Sequence, residues 1–317
     1  MTPSSPAEQH TAGGLYALSA YVIWGFLPLY FLLLAPISPF EIVAWRILLS
    51  LVVCAVLILL GRSWRALRAI IRQPRLLGWT ALAGVVIYLN WQIFLVATLT
   101  GHVIETSLGY FINPIVTVLL GVLVLRERLR LTQWIALGLA ATAVVVIVVG
   151  YGAFPWIALS LAFSFGLYGL IKKRIGPAVD AVSGLTLETV WLTPVALVQL
   201  GIVAASGSLG AFAYGGEKTV ALALAGVVTA TPLLLFASGA RRAPLTLMGI
   251  LQFVTPVMQF IIGVWLLGEQ MTTGRWIGFA IVWVALVLLT VDSARASRRA
   301  RHARQDGAAA SDVADLT

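Results

Sequence analysis

The stretch ETSLGYFINPIVTVLLG, Glu105 to Gly121, decides how this chain is read. It is apolar enough for lipid, yet it carries a carboxylate, a tyrosine, an asparagine, a proline and glycines. Hydrocarbon leaves unpaired polar groups and interrupted helices costly, so such a segment needs protein or water beside it. At helical spacing Thr106, Tyr110, Asn113 and Thr117 fall on one face, because residues three and four apart are neighbours on a helix. Pro114, in the middle of the run, removes a backbone hydrogen bond and bends the helix.

Working outward, the 317 residues are 60% hydrophobic and 10% charged, with a mean hydropathy of +0.99. Soluble domains carry roughly 25% charged residues, so this composition marks an integral membrane protein. Cys54, the single cysteine, excludes an internal disulfide, and with His10, His102 and His302 it makes no metal or haem constellation. No metal and no cofactor are expected. The first apolar run has no basic lead-in and no small-residue cleavage site, so it is expected to be a first span rather than a signal peptide.

At ~20 apolar residues per crossing, ten spans are expected. They lie near 14–34, 39–60, 76–98, 103–125, 131–149, 153–171, 181–204, 219–239, 245–267 and 274–292. Of the 21 Lys and Arg residues, eighteen follow the even-numbered spans or the last one, and only Arg46, Lys218 and Arg275 do not. The positive-inside rule then puts both termini in the cytoplasm. The net charge of +9 is therefore a topology signal, not a nucleic-acid footprint. The expected domains are a cytoplasmic tail (1–13), two units (14–149 and 150–292) and a disordered Arg-rich cytoplasmic tail (293–317) that touches anionic lipid or is simply solvated.

The two units are repeats. ALAGVV occurs at 81–86 and 223–228, an offset of 142; at that offset FINP (111–114) faces FVTP (253–256), Gly121 faces Gly263, Glu127 faces Glu269, and WI recurs. Because each unit has five spans, an odd number, the second enters from the opposite face, which is the inverted arrangement found in secondary transporters. The fold class expected is all-α, ten transmembrane helices in two inverted five-helix units.

The same offset gives the opening stripe a counterpart in Met248, Gln252, Thr255 and Gln259, with Pro256 matching Pro114. Two roles fit these residues: lining a shared central cavity, or tying helices together while Gly109, Gly121, Gly249 and Gly263 permit close approach. Asn90 and Trp91 interrupt the third span, and Asn90 fits either role; Trp24, Tyr88 and Trp91 fit aromatic walls or interfacial anchors. Arg46, inside span 2, costs at least ~2.5 kcal/mol alone in lipid and should pair with Glu41, Glu105 or Glu188; PFE (39–41) resembles TLE (186–188), which puts Glu188 where Glu41 stands. An ion pair, an anionic or zwitterionic substrate, or proton carriage each suit these four charges. Glu127 and Glu269 are expected to cap helices or sit in loops.

The stretch LNWQIFLVATLTGHVIETSLGYFINPIVTVLLGVLVLRERL (89–129), with LETVWLTPVAL (187–197), resembles the EamA-type drug/metabolite transporter superfamily, and more narrowly its RarD branch. The likeness covers about 14–291. It implies an inner-membrane permease or exporter of small metabolites; RarD-type proteins are labelled chloramphenicol-sensitivity or chloramphenicol-resistance permeases, and other relatives export amino acids. It also implies a cavity enclosed by helices 1, 3, 4, 6, 8 and 9. Pro232, opposite Asn90, makes a symmetric site unnecessary.

The expected function is secondary transport of a small polar or amphipathic solute by alternating access. Expected partners are that solute, the lipid bilayer, protons at a buried carboxylate, and a second copy in a homodimer. A membrane enzyme would need an acidic or H-E-x-x-H signature and an ATP-driven pump a P-loop; neither is present. A sensor that binds without translocating remains the rival reading.

Overall fold

The computed structural model describes residues 6–61, 63–125, 131–151, 154–176, 178–211, 213–240, 242, 247–248 and 251–314. Arg62, the Arg126–Arg130 cluster with Glu127, Arg241 and Gly249 lie outside the described residues, so their expected roles are not addressed.

Among the described residues the chain is helical, without strands. The helices are α1 (Pro6–Leu33), α2 (Pro39–Gly61), α3 (Trp64–Ile71), α4 (Pro74–Leu99), α5 (Val103–Leu125), α6 (Leu131–Tyr151), α7 (Trp156–Ile175), α8 (Ala181–Ala205), α9 (Gly216–Ala223), α10 (Ala225–Ala240), α11 (Val254–Ile261) and α12 (Thr273–Ala314). A π-helical turn, Ile262–Leu266, extends α11. Pro39 and Pro74 open their helices where a missing N–H is harmless. Asp180 starts α8 by accepting the Val182 and Ser183 N–H groups at 3.1 and 3.0 Å. Gly101, with φ of 75°, ends α4 in the left-handed conformation that suits glycine.

Among the described residues, eight helical stretches are long and apolar enough to cross a membrane. The sixth and ninth expected spans are shorter: Trp156–Lys172 and Val254–Leu266. The sixth runs into the basic Lys172, and the ninth is cut short among the described residues by the gap before Leu251. The expected eighth span is among the eight, Gly216–Phe236, with a single turn residue, Leu224, between α9 and α10. Past the last expected span, α12 continues as helix to Ala314. Alanine dominates that segment, and alanine has the highest helix propensity of any residue.

Packing partners come in matched sets. α1 lies on α10 and α11, just as α7 lies on α4 and α5. α2 crosses α8 and also touches α10, while α8 touches α4; α6 lies along α12. Glycines set the closest crossings. A Cβ on Gly226 would sit 2.5 Å from the backbone C and O of Leu49, and one on Gly84, its repeat counterpart, 3.2 Å from the Glu188 carbonyl oxygen. Likewise Gly25 faces Met258 and Gly166 faces Val116, again one offset apart. Small residues of this kind let apolar helices approach where no hydrophobic force drives them together.

Candidate functional site

Arg46 is the centre of the site. It lies seven residues into α2, about 10 Å below the helix start at 1.5 Å per residue. It is 4% exposed. Its Nε donates to Thr229 Oγ1 at 2.7 Å. The guanidinium carbon stands 4.3 Å from the Trp91 ring centroid and 5.5 Å from that of Phe31. Aromatic contacts continue from Phe31 to Phe94, Tyr110 and Phe165 at centroid separations of 6.2, 5.9 and 5.8 Å. The hydroxyls nearby are committed elsewhere: Tyr30 donates to the Ala221 carbonyl at 2.8 Å and Tyr110 to Asn90 Oδ1 at 3.5 Å.

The expected carboxylate partner is not there. Glu41 uses both oxygens to accept the Gly210 and Ala211 N–H groups, each at 2.8 Å. Glu105 pairs with Arg275 at 3.3 Å. Glu188 accepts from Lys172 Nζ at 2.7 Å and Tyr168 OH at 3.1 Å. Among the described residues no carboxylate reaches Arg46. Helix register explains the miss. α2 begins at Pro39 and α8 at Ala181, so at offset 142 Glu188 is the counterpart of Arg46 and not of Glu41. The two charges are therefore repeat counterparts, and neither is the other's partner. A lone arginine at mid-helix costs ~2.5–3.5 kcal/mol on insertion scales, which the two ring faces offset by up to ~2 kcal/mol when desolvated.

The two polar stripes are divided among several tasks. Asn113 Nδ2 donates to the Ala162 carbonyl on α7 at 3.0 Å, and Thr255, its counterpart, donates to the Tyr21 carbonyl on α1 at 2.7 Å. Gln259 Nε2 reaches the Trp24 carbonyl at 3.3 Å, while its Oε1 is buried without a partner. Asn90 Nδ2 ties α4 to α7 through the Leu161 carbonyl at 3.2 Å and Ser164 Oγ at 2.9 Å. Thr106 bonds back to Val103 in its own helix, Thr117 is exposed, and Gln252 is half-buried. The interhelical-tie role is thus the one these contacts display for Asn90, Asn113 and Thr255. Tyr110 and Trp91 join the Arg46 cluster. Pro114 lies inside α5. Pro256 accepts from Ser107 Oγ at 2.8 Å through its carbonyl, joining α5 to α11.

One end of the bundle is pinned by polar contacts from loops. Glu269 accepts the Val103 and Ile104 N–H groups at 2.6 and 3.0 Å, capping α5. Burial raises its carboxyl pKa above the usual range, although those N–H groups, Arg275 and His102 pull the other way. Lys218 donates to the Ala35 carbonyl. A hollow of about 180 Å³ lies just beneath, lined by His102, Glu105, Trp156 and Arg275 among others. A second, apolar groove of about 620 Å³ is formed by Phe111, Phe253, Phe260, Trp265 and Trp283. Neither hollow includes Tyr110, Asn113, Gln252 or Gln259. Sequence reasoning missed Phe31, Thr229 and Phe94; the one signal for them was that a buried arginine requires neighbours of some kind.

The chain matches the EamA-like transporter family twice, over residues 11–149 and 155–291. It is 46% identical to "Protein RarD" of Streptomyces exfoliatus, covering 95% of both chains. It is 39% identical to "Protein RarD" of Escherichia coli (strain K12), over 92% of this chain and 98% of that one. A third relative, "Chloramphenicol-sensitive protein RarD" of Pseudomonas aeruginosa, is 33% identical over 90% of this chain and 96% of its own. A solved crystal structure covers 90% of this chain and 99% of its own with a TM-score of 0.58 at 18% identity, a likeness of fold alone. Twofold family coverage and near-full-length relatives together place the chain in the EamA-like transporter family, in its RarD branch.

Proposed function

We propose that this chain is a secondary transporter of the cytoplasmic membrane, with both termini inside, that moves a small polar or amphipathic metabolite or drug by alternating access. The observation that carries this reading is the repeat-related packing. Asn113 ties α5 to α7 and Thr255 ties α11 to α1 through carbonyls one offset apart. Matched contacts in two units of opposite entry support two conformations of nearly equal energy, one open to each side. In that reading Glu41, Glu269, Lys218 and the Glu105–Arg275 pair hold the outer face shut. Glu188, buried beside Lys172 and Tyr168 in the inner half, is the carboxylate best placed for proton coupling.

The test is a growth screen of deletion against overexpression on metabolites and antibiotics, a phenicol included, followed by flux with purified protein in liposomes. Transport that falls at least tenfold in Asn113→Ala or Gln252→Ala, at normal protein levels, supports the reading. Saturable binding of a screened solute with no flux in either direction overturns it in favour of a sensor. Flux that depends on ΔpH in the wild type and loses that dependence in Glu188→Gln supports the proton route.

A further inference from the structure

The two repeat-related buried charges are treated differently by the fold. In the second unit Glu188 has its counterion: Lys172 Nζ lies 2.7 Å away, and Gly184 leaves room for that ammonium. The corresponding position in the first unit, one offset of 141 earlier, is Phe31. There a ring, not a charge, faces Arg46. Thr229 takes only Nε, and among the described residues the terminal N–H groups of the guanidinium have no hydrogen-bond partner. A guanidinium has five donors in a planar fork that matches a carboxylate two bonds at a time. A buried cation with most of that fork unused, walled by aromatic rings, is built to receive its counterion from outside the chain.

We infer that Arg46 anchors the negatively charged group of the solute, a small carboxylate whose apolar body lies against Trp91, Phe31 and Phe94. This rests on the transporter reading and names its substrate class. The single cation favours a monoanion, and the rings favour a flat or branched apolar body over a sugar. Arg46 is almost wholly covered in this conformation, while Tyr30, Tyr110 and Phe165 are half-buried. The solute therefore enters by displacing these rings from the side, not through an open shaft.

The probe pair is benzoate and its neutral analogue benzamide, measured by equilibrium binding to the full-length protein in nanodiscs. The wild type is expected to bind benzoate at least tenfold more tightly than benzamide. Arg46→Gln should bring benzoate to the benzamide level, with Arg46→Lys between the two because an ammonium lacks the paired donors. Should Arg46→Gln fail to fold, Thr229→Asp provides the second arm. It sets a carboxylate beside Nε, as Lys172 sits beside Glu188, and should cost benzoate at least tenfold more than it costs benzamide. Equal or absent binding of the two probes by the wild type, or unaltered benzoate binding in Thr229→Asp, overturns the inference. Benzoate binding without any liposome flux leaves the anion site standing and removes the transporter reading. Flux of a neutral solute with no benzoate preference does the reverse.

Discussion

Replacing Glu41 by glutamine tests how the segment after α8 is anchored to α2. The Glu41 side chain is fully buried; Oε2 accepts the Gly210 N–H and Oε1 the Ala211 N–H, both at 2.8 Å, with the Trp45 indole N–H also donating to Oε1 at 3.4 Å. In Glu41→Gln one oxygen becomes an NH₂. One backbone N–H keeps a weaker neutral acceptor; the other is left facing a donor, buried and without a partner. A charge-assisted hydrogen bond contributes about 1.5–3 kcal/mol and an orphaned buried donor costs about 1–3 kcal/mol. With partial relaxation of the loop, the loss should be about 2–4 kcal/mol. The assay is reversible unfolding by SDS in mixed micelles, with Glu217→Gln, an exposed acid at the start of α9, as the control. A double-mutant cycle with Arg46→Gln makes the test sharper. If Glu41 serves the loop, the coupling energy stays within about 0.5 kcal/mol. A coupling well above 1 kcal/mol, or a single-variant loss below 0.5 kcal/mol, would show that the carboxylate answers Arg46 after all and would refute the reasoning.

Two further outcomes follow from the same contacts. Burial raises the Glu269 carboxyl pKa in the latched protein, so the latched state holds its proton to higher pH than an unlatched or unfolded one, whose pKa is ~4.3. Its contribution to stability is full below the unfolded value and is lost as pH rises through the folded value. The SDS midpoint difference between the wild type and Glu269→Gln should shrink from pH 4 upward, and a difference that grows instead contradicts the assignment. At Gly226 the atoms an added methyl would meet are backbone, which cannot rotate aside. Gly226→Ala must therefore push α2 and α10 apart at about 1–3 kcal/mol, whereas Gly78→Ala, with nothing within 4 Å, should be neutral or stabilising. Equal behaviour of the two variants would remove the packing argument.

Membership of the membrane class, eight of the ten span positions and the duplication were legible in the chain because each is a one-dimensional property. Apolar runs of bilayer length, cations gathered after alternate spans and a constant offset of 142 survive without any knowledge of packing. Pairing was not legible. Arg46, Glu41, Glu105 and Glu188 are four charges in apolar surroundings, and sequence alone offers three equally good partners for one arginine. Only the crossing of α2 with α10 put Thr229 on its Nε, and only the fold of the segment after α8 put two backbone N–H groups on Glu41. The polar stripe divided for the same reason. Its period says which residues share a face of α5, but whether that face meets a carbonyl of α7, a ring of α4 or open surroundings is set by neighbours distant in the chain. Hydrogen bonds of about 3 Å are decided by tertiary distances that no periodicity encodes.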